Sequence, residues 1–374
     1  MPKKKTNTIT TQQAKQALDK VINKSRAHWY KPIQIAEILY QNRTAHNINL
    51  EHLEDYRTKS KEWRDSITLP LLGRVCTSSA KFQDNIFDDN AIPPRVLKIL
   101  GEENIRTNGA VEAYIYRCFF TKQQQFQVAL SVCLDAKPNT FFVKKFIDAF
   151  WKEPGLKRSI DKVYEIIVYS LFETLVEAME LKVSVFISED ALPILTEFED
   201  FSQRVMCLDA THTNHIQSAK LYRVGVTNAA DRGLDMYSNW GPAIQIKHLS
   251  LDPDLAEEIV AGVSSDKLVI VCKDAERKVI QSLLTQIGWR SHIQSIVTEE
   301  DLINWYEKAL RGTYSSKLSQ KLLDTLAEEI SLEFPHVSNI PDTLQSRHYD
   351  NITDTFGNRI TKTSILANVY IRYN

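Results

Sequence analysis

The apolar positions of this chain change period along its length. From about residue 11 to residue 150 they recur every three or four positions, as expected for helices that each bury one side. Ala14, Leu18, Val21 and Ile22 form such a stripe within Gln12–Ile22. Pro32 can open a second helix, with Ile35, Ile38 and Leu39 on one side. The charged run Leu50–Ile67 spaces Leu53, Tyr56 and Trp63 for burial. A short helix starts at Pro93-Pro94 and is expected to stop near Gly101, and Glu112–Leu134 reads as a long helix. After the break at Glu153-Pro154-Gly155, a stripe of Val163, Ile166, Ile167, Leu171, Leu175 and Ala178 predicts a helix over Ile160–Met179.

Beyond that helix the pattern alternates between strand and helix. Lys182–Ile187 reads as a strand. Asp252, Pro253 and Asp254 are a helix start, and Leu268–Cys272 is a continuous apolar strand of the kind covered on both faces. Ala275–Ile287 is expected to be a helix, Ile293–Val297 a strand, and Thr298 with Asp301 a capping box opening a helix through Leu310. Lys317–Phe334 is a further amphipathic helix, and Gly357-Asn358 suits a hairpin turn near the C-terminus. This order predicts an α/β fold with a mixed sheet, preceded by a mainly helical N-terminal region.

The candidate chemistry lies in Asp231–Leu251, DRGLDMYSNWGPAIQIKHLSL. A strand-like segment carries Asp235, a turn follows at Ser238-Asn239-Trp240-Gly241-Pro242, and a second strand carries Gln245-Ile246-Lys247. Strand alternation puts Gln245 and Lys247 on one face and Ile244 and Ile246 on the other. A short connection can bring Asp235 onto the face of Gln245 and Lys247. Asp235, the Gln245 amide oxygen and the Ile246 carbonyl are oxygen donors suited to Mg2+, and Lys247 would stand beside an attacking water or a phosphate.

Asp, nine residues, then Gln-x-Lys resembles the PD-(D/E)xK nuclease motif with Gln in place of the second acid. The longer run TNAADRGLDMYSNWGPAIQIKHLSL, together with YKPIQIAEILY near the N-terminus, resembles the type II restriction endonucleases of the HaeII-like family. The resemblance implies a PD-(D/E)xK-type core and Mg2+-dependent hydrolysis of double-stranded DNA. It also implies a GCGC-centred palindromic site with purine and pyrimidine ends, a homodimer, and a cognate DNA methyltransferase acting on the same site. Asp235, Gln245 and Lys247 are then the catalytic set, with Asp235, Gln245 and Ile246 on the metal. Gln245 removes a charge from the usual acid pair, and Asp231, Glu173 or Glu177 is a candidate to restore it. Two other readings stay open at this point: a non-catalytic DNA-binding protein on a decayed nuclease scaffold, and a nuclease of DNA repair or recombination. The expected organisation is a helical region over 1–155 for DNA recognition or dimerisation, a catalytic domain over 156–335, and a C-terminal hairpin or strand extension over 336–374.

Composition changes this picture little. The 374 residues carry a formal net charge of −1, so a DNA-binding surface must be a local basic patch. Basic and aromatic residues interleave at His28, Trp29, Tyr30, Lys31, Arg57, Lys61, Trp63 and Arg64, a pattern compatible with nucleic acid or with ordinary amphipathic helices. Cys76, Cys118, Cys133, Cys207 and Cys272 show no metal-binding or disulfide spacing and read as buried free thiols. His212 and His215 lack further ligands of matching spacing, and a loop or DNA-facing position is expected for them. No long apolar segment follows the basic start, so the expected location is the cytoplasm.

Overall fold

Thr10 and Gln13 close a reciprocal capping box at the start of α1 (Thr11–Lys24), and the predicted stripe of Ala14, Leu18, Val21 and Ile22 is buried beneath it. The computed structural model describes residues 9–25, 28–46, 48–75, 85–152, 156–224, 234–262, 265, 267–275, 293–334, 337, 340–352 and 356. Around α2 (Tyr30–Ala45), buried from Pro32 to Leu39, pack α3 (Lys59–Leu72), α4 (Pro94–Arg106) and the first half of α5 (Ala110–Leu134). The predicted stop at Gly101 is a correction, because α4 runs through it. A Cβ there would lie 2.2 Å from Leu50 Cδ1, so this glycine serves close packing rather than helix termination.

The helix α5 belongs to two cores. Phe119 and Phe120 sit in the N-terminal one, whereas Phe126, Ala129, Leu130 and Cys133 sit in a second. That second core continues through α6 (Val143–Lys152), α7 (Ile160–Ala178), one sheet face, α10 (Glu299–Arg311) and α11 (Ser315–Glu333). Val337, Ile340, Leu344, Tyr349 and Phe356 return to the N-terminal core. The predicted helix Ala275–Ile287, except Ala275 itself, and the hairpin at Gly357-Asn358 lie outside the described residues.

The mixed sheet is borne out. Its order is β3 (Leu221–Arg223), β4 (Met236–Ser238), β5 (Ala243–Leu251), β6 (Leu268–Ala275), β7 (Ile293–Thr298). The β3–β4–β5 pairings are antiparallel, and β5–β6–β7 are parallel. Ile244, Ile246, Val269 and Val271 face α7 and α10, while Ala243, Leu268, Ile270 and Cys272 face α9 (Pro253–Gly262). The strand predicted over Lys182–Ile187 forms as β1 (Lys182–Phe186) but joins β2 (Asn214–Ser218) in a separate two-stranded sheet. His215 therefore stands in a strand, not a loop. The short helix α8 (Leu192–Glu197) lies between β1 and β2.

One further expectation changes, and one open reading narrows. Cys207 is exposed, unlike Cys133 and Cys272, because it occupies a left-handed position that ends a helical turn. His28, Trp29 and Arg64 are buried, and Arg64 is held by Gln34 and Asp65, so these three serve the helical core rather than an open DNA surface. No helix among the described residues is long and apolar enough to cross a membrane.

Candidate active site

The pairing of β4 with β5 ends at Met236↔Ile244. One step further, Asp235 stands just before β4, opposite Gln245, where antiparallel register turns both side chains to one face. The Asp235 carboxylate takes over from the missing strand. Its Oδ2 accepts the Ile246 backbone N–H at 2.7 Å and the Gln245 Nε2 amide at 2.7 Å. Gln245 is 2% exposed, and its Oε1 is buried without a hydrogen-bond partner. A buried amide oxygen left in this state costs about 1–3 kcal/mol, so an amide oxygen of this kind marks a place for a cation or donor.

Lys247 is half-buried, and its ammonium acts on Asp235 through space. The strand is anchored beside it by His248, whose Nε2 lies 3.0 Å from Glu299 Oε2 and whose ring packs against Trp151 and Tyr164. Glu299 is held in turn by Lys144 Nζ at 2.7 Å.

The acid of α7 that stands beside Asp235 is Glu165. Its carboxyl lies within hydrogen-bonding reach of Asp235, and both its oxygens accept from Lys162 Nζ, at 2.6 and 2.8 Å. Burial pushes the Glu165 carboxyl up, Lys162 partly offsets this, and the neighbouring Asp235 raises it again, to about 7. Burial also raises Asp235, against the Ile246 amide, Lys247 and Lys162. Glu173 and Glu177 stand roughly 12 and 18 Å further along the helix axis at 1.5 Å per residue. Glu173 is engaged with Tyr169, and Glu177 pairs with Lys321 at 3.0 Å, toward α11. Asp231 lies outside the described residues.

Glu165 had a signal in the sequence. It is an acid in the middle of IDKVYEIIVYSLF, a helix segment apolar on nearly every side, and such an acid is buried and must find a partner. Among the described residues no group of three His, Cys, Asp or Glu is placed to hold a metal; the oxygens gathered at this point are two carboxyls and an amide oxygen. Those are hard oxygen donors that fit Mg2+ rather than a thiophilic metal.

The model of the HaeII restriction endonuclease family matches residues 14–349. The chain is 57% identical over 324 residues to the type II restriction enzyme HaeII of Haemophilus aegyptius, spanning 87% of this chain and 92% of that protein. It is 52% identical over 347 residues to the type II restriction enzyme NgoBI of Neisseria gonorrhoeae, spanning 92% of this chain and 98% of that one. No solved structure matches it. With the match running from α1 through the β4–β5 edge to the C-terminal segment, the chain belongs to the HaeII restriction endonuclease family and is a type II restriction endonuclease.

Proposed function

We propose that this endonuclease is Mg2+-dependent, has a PD-(D/E)xK-type core, and cuts double-stranded DNA at a GCGC-centred palindrome with purine and pyrimidine ends. The observation that carries the metal site is the buried, unpartnered Oε1 of Gln245 beside the two carboxyls of Asp235 and Glu165. Asp235, Glu165, Gln245 and the Ile246 carbonyl would hold the ion. When bound, Mg2+ would offset the two carboxylates and polarise the scissile phosphate.

The remaining work falls to side chains. Asp235 and Gln245 fix each other, and Lys247 orients the attacking water and balances charge at the phosphate. The water oxygen bonds to phosphorus, one bridging P–O bond breaks, and the products are a hydroxyl and a phosphate monoester. A palindrome presents the same half-site twice, which calls for a two-fold homodimer. A methyltransferase modifying the same site would protect the host DNA, and the enzyme would work in the cytoplasm.

The test is digestion of unmethylated plasmid and phage DNA with Mg2+ and with EDTA, followed by sequencing of the fragment ends. Discrete ends at one palindrome, absent in EDTA, are expected. Binding without cleavage would favour the decayed-scaffold reading, and ends scattered over the DNA would favour a repair nuclease.

A further inference from the structure

The sheet is open at one end, beside the candidate site. Leu221 of β3 and Met236 of β4 are buried in the core beneath α7, so their strand neighbours Tyr222 and Tyr237 turn to the opposite side. There they form a cross-strand pair, with ring centroids 5.0 Å apart and planes inclined by 19°. Both stay exposed, at 39% and 45%. α9 covers this side at Ala243, Leu268, Ile270 and Cys272, and the exposed pair marks where that cover ends.

An aromatic cross-strand pair can serve a sheet edge alone. Register ties this one to the site. Tyr237 stands opposite Ala243 of β5, and alternation puts Ala243, Gln245 and Lys247 on one side of that strand. Tyr237 is therefore the diagonal neighbour of Gln245, about 7–8 Å away. Ala243, with a single methyl, raises no wall between them.

The chemistry of the pair fits what must reach Gln245 and Lys247. Tyrosine hydroxyls donate to phosphate oxygens and are among the groups that hold a DNA backbone. Among the described residues neither hydroxyl has a protein hydrogen-bond partner. Lys220, two residues before Tyr222, is exposed and pairs with no carboxylate among the described residues. Its place is fixed by Asn239, which accepts the Lys220 N–H on Oδ1 at 2.8 Å and donates its own N–H to the Lys220 carbonyl at 3.1 Å. Successive nucleotides of one strand advance about 3.4 Å along the duplex axis. The second nucleotide from a phosphate held at Gln245 and Lys247 thus lies about 7 Å away, the distance of the tyrosine pair.

We infer that Tyr222 and Tyr237 seat the backbone of the cleaved strand next to the scissile phosphate, donating their hydroxyls to its phosphates, with Lys220 adding charge. The inference rests on the proposed placement of cleavage at Asp235, Gln245 and Lys247, and names the surface that aligns DNA on it.

The test is nitration of the full chain by tetranitromethane in EDTA and low salt, with and without a duplex carrying the proposed palindrome, read by mass spectrometry. Tyr314, 72% exposed, is the control. It stands beside Leu175, ten residues along α7 from Glu165, or about 15 Å. Saturating duplex should slow nitration of Tyr222 and Tyr237 about tenfold and leave Tyr314 unchanged. The double variant Tyr222→Phe/Tyr237→Phe keeps the stacked rings, so it should fold, bind duplex about tenfold more weakly and carry the loss in KM. Lys220→Ala should reduce the slope of log affinity against log salt by about 0.9. Bound duplex that leaves both tyrosines nitrated at the free rate would overturn the inference. So would equal protection of Tyr314, a Phe pair that binds like the parent, or a chain that retains no duplex in low salt. Protection without cleavage in Mg2+ upholds the seat and refutes the metal site, whereas cleavage without protection refutes the seat alone.

Discussion

Gln245 donates its Nε2 to Asp235 Oδ2 at 2.7 Å while its Oε1 is buried without a partner. One amide thus fixes the neighbouring carboxylate and keeps an oxygen ready for a ligand, which a carboxylate at the same position cannot do. Gln245→Glu removes the donor and sets a third acid against Asp235 and Glu165. Without metal the variant should lose about 1–3 kcal/mol of stability, the cost of a broken buried contact to a charged group. With Mg2+ it should keep cutting, and half-maximal cleavage should need less metal. Melting in EDTA, and cleavage followed against Mg2+ concentration, check both halves. An unchanged metal dependence would put Gln245 outside the ligand set.

Lys247→Ala should lower the cleavage rate by about 10²-fold or more, the scale of a lost proton-transfer or charge-stabilising group. Lys247 is half-buried, and its strand is held by His248 and Glu299, so the variant should fold and still bind DNA. Single-turnover cleavage and a gel-shift on the same DNA separate the two effects. A rate near that of the parent would remove Lys247 from the chemistry.

Glu165→Gln should also suppress cleavage, yet it should stabilise the metal-free protein. The folded carboxyl is raised from the ordinary range near 4.5 to about 7, so the fold binds this proton more tightly than the unfolded chain does. Stability linked to Glu165 is therefore complete below pH 4.5 and is lost as pH rises through 7. The Gln variant escapes that loss, and its advantage of about 1–3 kcal/mol should appear above pH 7 and vanish in acid. Urea melts at pH 8 and pH 4.5 test the sign. Glu173→Gln serves as control and should leave cleavage unchanged.

Much of this arrangement was legible because it depends on local pattern. The capping box expected at Thr298 is present, and Ile244 and Ile246 face the core away from Gln245 as alternation requires. Glu165 was hidden because helical periodicity locates the apolar stripe of α7 but not which turn of the helix crosses the β4–β5 edge. Gly101 misled because a glycine needed for the close approach of Leu50 looks, in sequence, like one that ends a helix. The separation of β1 from the main sheet was equally invisible, since a strand's own residues do not name its partner.

The C-terminal segment offers a test of how the helical region is held together. Arg347 donates to both oxygens of Glu37, at 2.7 and 2.9 Å, and stacks 3.5 Å over the Tyr40 ring. Tyr116 adds its hydroxyl to the same carboxylate at 2.6 Å, and Tyr349 gives its own to Glu112 at 2.8 Å. The Glu37 and Arg347 side chains are 2% and 7% exposed. Arg347→Met leaves Glu37 charged and buried among apolar helices, which should cost about 3–5 kcal/mol. Replacing both, as Glu37→Gln with Arg347→Met, removes the stranded charge and should recover a large part of that loss. The segment carrying Leu344 and Tyr349 should also become open to protease in the single variant, because its polar anchor is gone while its apolar contacts remain. Urea melts of the single and double variants, with limited proteolysis of each, measure this directly. A single variant that melts with the parent would show that the pair adds nothing beyond the packing around it.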